Sequence, residues 1–100
     1  MNEGEINTIK LTSGEEVVAK IMTISDGVLF VKHPVSIGPN PQGGAPMLVP
    51  SMYTAEMDKD VVLYASAISM VAPTREDVKV AYIKATTGID VPAKKQIITG

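Results

Sequence analysis

His33 is the only histidine of the chain, and the chain has no cysteine. A Ser–His–acid triad needs an imidazole base, so His33 would have to supply it. Because His33 precedes Pro34 in a predicted bent strand, a surface position is the simpler interpretation. A usual zinc site needs several Cys and His ligands, which one histidine cannot supply. The chain is therefore predicted not to be an enzyme and to hold no cofactor or metal.

Other residue clusters have simpler explanations than a site. Asp58 and Asp60 flank a lysine and could hold a cation weakly, but a solvated turn fits them better. The pair at 43–44 is the only Gly-Gly, and no GxxxxGK[ST] or GxGxxG phosphate pattern occurs. Lys94 and Lys95 could touch an acidic surface, although a solvated tail is the simpler interpretation. The residue types therefore favour binding or structural roles.

Composition sets the class of protein. One hundred residues fit one domain. With 45% hydrophobic residues, one Phe and no Trp, the core must be aliphatic. The net charge of −2 argues against a generic basic nucleic-acid binder, because nonspecific binding is mostly phosphate neutralisation.

The start of the chain is acidic and polar over residues 1–5. A secretory signal needs a basic start and an apolar run, and neither is present there. The apolar stretches are also far shorter than a membrane span. These features, with the absence of cysteine, predict a cytoplasmic location and no membrane partner.

Turn signals divide most of the chain into short apolar runs, which is typical of a small β-barrel or sandwich. The predicted strands cover residues 6–11, 16–24, 28–37, 47–57 and 61–71. Residues 38–46 form a loop rich in proline and glycine. The fifth strand is largely apolar on both faces and is stopped by Pro73.

A helix is predicted after the strands. Thr74 is a candidate N-cap, with Asp77 three residues on as a variant capping box. A stripe of apolar residues recurs at helical spacing and should be buried. Its members are Val78, Ala81, Tyr82 and Ala85. Gly88 is a natural residue to end the helix, so we predict one domain over 1–88 and a tail over 89–100.

Segments of this chain resemble the Sm-like family, which includes the Sm, Lsm and bacterial Hfq proteins. Residues 9–21 (IKLTSGEEVVAKI) and 28–34 (VLFVKHP) are similar to the first Sm motif, and residues 64–73 (YASAISMVAP) to the second motif of Hfq. The resemblance implies a mainly β fold, namely a small five-stranded Sm-like (SH3-type) barrel, here with a C-terminal helix. It also implies RNA as a partner.

The residues that contact RNA in that family are replaced here. The Lys-His pair of the second motif corresponds to Ala65-Ser66, and the turn before the third strand presents Asp26 and Val28. RNA bases need aromatic faces for stacking and donors for their edges. The best candidate RNA-binding surface is Ser25, Asp26, Gly27 and Ser66. RNA binding and a structural or protein-interaction ring without RNA activity both stay open.

The resemblance further implies a homo-oligomeric ring, in which the fourth strand of one subunit pairs with the fifth of the next. Both strands lack the clean polar face of a solvated sheet, and an unpaired apolar edge would aggregate. The candidate interface residues are Met47, Val49, Met52, Tyr53, Leu63, Tyr64, Ile68 and Met70. Covering by the C-terminal helix within one monomer is the alternative.

Overall fold

A computed structural model describes residues 1–38, 40–44 and 46–87. Its elements, in chain order, are β1 (Ile6–Leu11), β2 (Glu16–Ser25), β3 (Val28–Gly38), β4 (Met47–Pro50), β5 (Val61–Tyr64), a 3₁₀ turn (Ala65–Ala67), β6 (Ile68–Pro73) and α1 (Glu76–Thr87). The predicted mainly β chain with one following helix is confirmed. The predicted helix end at Gly88 and the tail over 89–100 lie outside the described residues.

The strands form one antiparallel sheet in the order β4-β3-β2-β1-β6, with β5 pairing to β3 as well. The long β3 serves two partners: its first half pairs with β5, from Val28 opposite Tyr64 to Val31 opposite Val61. Its second half pairs with β4, from Val35 opposite Pro50 to Gly38 opposite Met47. Within the described residues, hydrogen bonding does not close this sheet into a barrel.

The predicted fourth and fifth strands are wrong in extent. The fourth ends at Pro50, where the chain leaves β3 and the Ser51 N–H donates to the Pro34 carbonyl at 3.1 Å. The fifth is broken by the 3₁₀ turn, which carries the chain from pairing with β3 to pairing with β1. Apolar content alone could not reveal the second break, since the 3₁₀ turn Ala65–Ala67 lies between two largely apolar strands.

Strand β2 lies between two apolar clusters because its successive side chains point to opposite faces. Val17, Ala19 and Ile21 join one cluster, with Ile9, Leu29 and Val31. Val18 joins the other, with Val35 and Tyr82. We call the face of the sheet that carries Val18 the helix face, because α1 packs on it. The core is aliphatic except for Tyr82, in agreement with the composition.

Helix α1 uses a slightly different stripe from the predicted one. Tyr82 is only 2% exposed, and Val78 and Ile83 pack beside it, whereas Ala85 is exposed. The expected capping pair is engaged elsewhere: the Thr74 hydroxyl lies 3.0 Å from that of Thr8. Asp77 pairs with Arg75, the two closest atoms being 2.6 Å apart, which lowers the pKa of that carboxyl through the hydrogen bond from Arg75.

Tyr82 completes the hydrogen bonding of an irregular point in the sheet. The register of β2 and β3 shifts between Val18 and Lys20, and His33 lies there with φ of 50°, an uncommon value for a residue other than glycine. The Tyr82 hydroxyl accepts from the Lys20 N–H at 3.1 Å and donates to the Lys32 carbonyl at 2.9 Å. The helix therefore supplies the partner that the strand ladder lacks at the bulge.

Candidate functional site

The four residues predicted to contact RNA lie together at one end of the sheet. Ser25 pairs with Val28 across a turn made of Asp26 and Gly27, and Gly27 has φ of 79°, which glycine adopts readily. The Gly27 carbonyl accepts from the Ala65 N–H at 2.9 Å. This bond holds the 3₁₀ turn, and with it Ser66, against the hairpin. We call these four exposed residues the hairpin cluster.

The hairpin cluster presents one carboxylate and two serine hydroxyls. Asp26 is its charged member, and the Glu3 carboxylate lies close by, accepting from the Ile24 N–H at 3.0 Å. Carboxylates repel phosphate, while serine hydroxyls can bond to many kinds of group. The four residues of the hairpin cluster lie on one surface, but that surface lacks the positive charge expected for binding a nucleic-acid backbone.

The candidate interface residues differ in their exposure. Large exposed side chains form the first set, and they are Met47, Met52, Tyr53, Tyr64 and Met70. In contrast, Leu63 and Ile68 turn inward and pack against the cluster around Ile9. Val49 is half-buried in β4. The exposed set is available for contact with another chain, whereas the inward pair serves the core.

The sheet leaves backbone edges open on both sides. Among the described residues, β4 and β5 pair only with β3, and β6 pairs only with β1. Tyr64 beside the β5 edge is 63% exposed, and Met70 on β6 is 64% exposed. An open edge next to apolar side chains is a template for pairing with another strand.

Part of the helix face is not covered by α1. The residues that share this uncovered part are Lys20, Val28, Phe30, Lys32, Val62 and Tyr64, and we call them the open face. Most of them are absent from the predicted site residues. The alternation of Phe30 and Lys32 with buried Leu29 and Val31 could have revealed their shared direction. The register that sets Val62 beside Phe30 could not be read from sequence.

The single histidine lines a different feature. His33, Val35, Leu48, Met57 and Thr86 border a groove of about 250 Å³ between the bend of β3 and the end of α1. Its lining is mostly apolar, and the described residues contain no group of three or more His, Asp or Glu side chains placed to hold a metal ion. The groove therefore joins one imidazole to a mostly apolar lining.

Comparisons of this chain with models of known protein families and with curated proteins give no match. The Sm-like resemblance therefore stays an interpretation of the residues themselves. Within the part of the chain that the structure describes, no helix combines the length and apolar character needed to cross a bilayer.

Proposed function

We propose that this chain is a self-assembling Sm-like β-domain that acts as a homo-oligomeric interaction ring. The observation that carries the proposal is the pair of open edges, β4 with β5 on one side and β6 on the other. In this proposal the β6 edge of one copy pairs with the β5 edge of the next. The barrel closure that the Sm-like resemblance implies would then involve strands from neighbouring copies.

The side chains beside these edges support pairing of the β6 edge of one copy with the β5 edge of another. Val62 and Tyr64 project beside one edge and Met70 beside the other, and all three are exposed in the single chain. Pairing would set them side by side on one face of the joined sheet and bury the sides that meet, at about 25 cal/mol for each Å² of apolar surface buried. Because the β5 edge and the β6 edge are different surfaces, each copy can bind one neighbour at each edge. Such a chain of copies closes into a ring when the rotation between neighbouring copies is a whole fraction of a turn.

A protein-interaction role is favoured over RNA binding by charge. The hairpin cluster presents Asp26 near Glu3, and the whole chain carries a net charge of −2. RNA binding is the second candidate, and one observation favours it. The ring of Tyr64 is 63% exposed and lies in the strand that leads to Ser66, so it offers an aromatic face on which a base could stack.

Charged substitutions at the two edges test the assembly. Met70→Lys and Val62→Lys each place a cation beside an edge where an apolar contact is proposed. We expect both variants to keep the circular dichroism spectrum of the parent and to lose oligomer mass in light scattering after gel filtration. Ile24→Lys is the matched control, because Ile24 is also a partly exposed apolar residue but lies by the hairpin. Unchanged oligomer mass in both edge variants would refute the edge assignment.

Fluorescence anisotropy separates the two candidate roles. Labelled U-rich and A-rich RNA are titrated with the protein across a series of salt concentrations, because phosphate attraction is strongest at low salt. We expect no saturable binding at low salt. Tight base-selective binding that survives moderate salt and is lost in Tyr64→Ala would instead establish the RNA role.

A further inference from the structure

The helix face of the sheet is only partly occupied by α1. Val78, Tyr82 and Ile83 of the helix pack on the part of this face that contains Val18 and Val35. Beyond Lys20 and Lys32, whose backbones bond to the Tyr82 hydroxyl, the same face continues, and no helix of the described residues 1–38, 40–44 and 46–87 lies over it. Within the part of the chain that the structure describes, α1 therefore covers one part of the helix face and not the open face.

The register fixes the arrangement of the open face. Lys20 lies opposite Lys32, Val62 lies opposite Phe30, and Tyr64 lies opposite Val28. Neighbouring positions across strands are about 5 Å apart. The rows from Val28 to Lys32 extend about 13 Å along β3, at about 3.3 Å per residue. A helix of roughly nine residues is long enough to lie along them at 1.5 Å per residue.

The charged side chains of the open face are distributed unevenly along β3. Two lysines lie opposite each other at one end, and like charges in directly opposed positions are unfavourable. The ion pairs among the described residues are Arg75–Asp77 and Lys79–Glu76, so neither lysine takes part in one. The other end approaches Asp26 of the hairpin, and apolar side chains lie between. Asp60, which precedes Val61 opposite Val31, offsets only one of the two lysines, so that end keeps an excess of positive charge. A ligand that fits is therefore acidic at the lysine end and apolar in the middle.

We propose that the open face binds a short amphipathic acidic helix of a partner protein. Its apolar stripe lies on Phe30, Val62 and Tyr64, and carboxylates in one end turn meet Lys20 and Lys32. The partner helix would occupy the sheet as α1 does on the neighbouring half. This inference rests on the proposed interaction role and names its partner. It uses the face of β5 and leaves the strand edge free for assembly.

A nucleic acid fits the open face less well than such a helix. A single strand carries phosphates along its whole length, so it would bring negative charge to both ends of the face. Asp26 lies at one end, since it follows Ser25, the β2 partner of Val28. Asp60 lies at the lysine end, since it precedes Val61, the β5 partner of Val31. Only the lysine pair would attract phosphate, whereas a helix can confine its carboxylates to one turn.

The test uses the full chain and a labelled synthetic helical peptide of fourteen residues. Leucines occupy one stripe at i, i+3, i+4 spacing, and glutamates occupy one end turn. A second peptide has lysines in place of those glutamates, and U-rich RNA is the third probe. The protein variants are Lys20→Glu with Lys32→Glu together, and Val62→Ser. Lys10→Glu is the control for reversing a single lysine elsewhere on the sheet, since Lys10 lies on β1 opposite Glu16, away from the open face.

We expect saturable anisotropy with the acidic peptide only. Reversal of both lysines should weaken binding about tenfold or more, since it replaces attraction with repulsion, and Val62→Ser should weaken it while Lys10→Glu leaves it unchanged. The double reversal keeps like charges opposite each other, so the strand pair itself is little affected. Equal binding of both peptides, binding unaffected by the reversal, or tighter binding of RNA would each overturn the proposal. Oligomer mass is measured in parallel. An unmodified chain that forms oligomers but does not bind the acidic peptide rejects only this site, and an unmodified chain that binds the peptide as a monomer rejects only the ring.

Discussion

Replacing Tyr82 by Phe isolates what one hydroxyl contributes at the junction of helix and sheet. The aromatic ring stays in its apolar cluster, because Phe fills nearly the same volume. The hydroxyl accepts from the Lys20 N–H at 3.1 Å and donates to the Lys32 carbonyl at 2.9 Å, and both bonds are lost. Because the side chain is only 2% exposed, water cannot replace the hydroxyl without disturbing the packing.

The magnitude follows from the two bonds. A net hydrogen bond contributes about 0.5–1.5 kcal/mol, and a buried group left without a partner costs about 1–3 kcal/mol. We therefore expect Tyr82→Phe to lower the free energy of unfolding by about 2 kcal/mol. For a domain of this size, that loss corresponds to a fall in Tm of roughly 10 °C.

Chemical and thermal denaturation followed by circular dichroism measure this effect. All samples are compared at one protein concentration, because the stability of an oligomer depends on it. Tyr64→Phe is the matched control, since it removes a hydroxyl from an exposed tyrosine and should change stability by less than about 0.5 kcal/mol. Equal stability of Tyr82→Phe and the parent would refute the view that Tyr82 completes the ladder at the bulge.

Other perturbations test the same structure from different directions. Burial raises the pKa of Tyr82 to about 12 from the ordinary 10.0. The tyrosine of the unfolded chain therefore ionises at lower pH than that of the folded chain, and the free energy of unfolding should fall as the pH rises from about 10 to about 12. Urea denaturation of Tyr82→Phe should lack this contribution to the pH dependence. Ile68→Asp should unfold the domain, because Ile68 packs against the core; a folded variant by circular dichroism would contradict that packing. Gly27→Val should cost about 1–2 kcal/mol from its φ of 79° alone, because open space surrounds an added Cβ, and denaturant unfolding measures that cost.

The strands that alternate cleanly could be predicted from sequence. The turns at Gly14 and Gly27 and the period-two patterns around them predict β1, β2 and β3 almost to the residue. The helix was also predictable, because its apolar residues, such as Val78 and Tyr82, recur at helical spacing. The breaks at Pro50 and at 65–67 were not, because they depend on which strand each segment pairs with.

The candidate surfaces likewise combine features set by local sequence with features set by long-range contacts. Ser25, Asp26 and Gly27 are adjacent in sequence, so their common position was predictable, whereas their contact with the 3₁₀ turn rests on one long-range hydrogen bond. The inward direction of Ile68 could not be inferred from strict alternation, since the 3₁₀ turn shifts the phase between β5 and β6. The partnership of Tyr82 with Lys20 and Lys32 depends on tertiary packing and has no sequence signal.

The mass of the unmodified chain in solution tests the central claim most directly. Native mass spectrometry, supported by sedimentation velocity over a range of micromolar concentrations, gives that mass without a label or substitution. Edge pairing into a closed ring predicts one dominant species at a fixed multiple of 10.6 kDa, unchanged by dilution across the range. A single species at 10.6 kDa would contradict the ring, and a ladder of masses growing with concentration would contradict its closure.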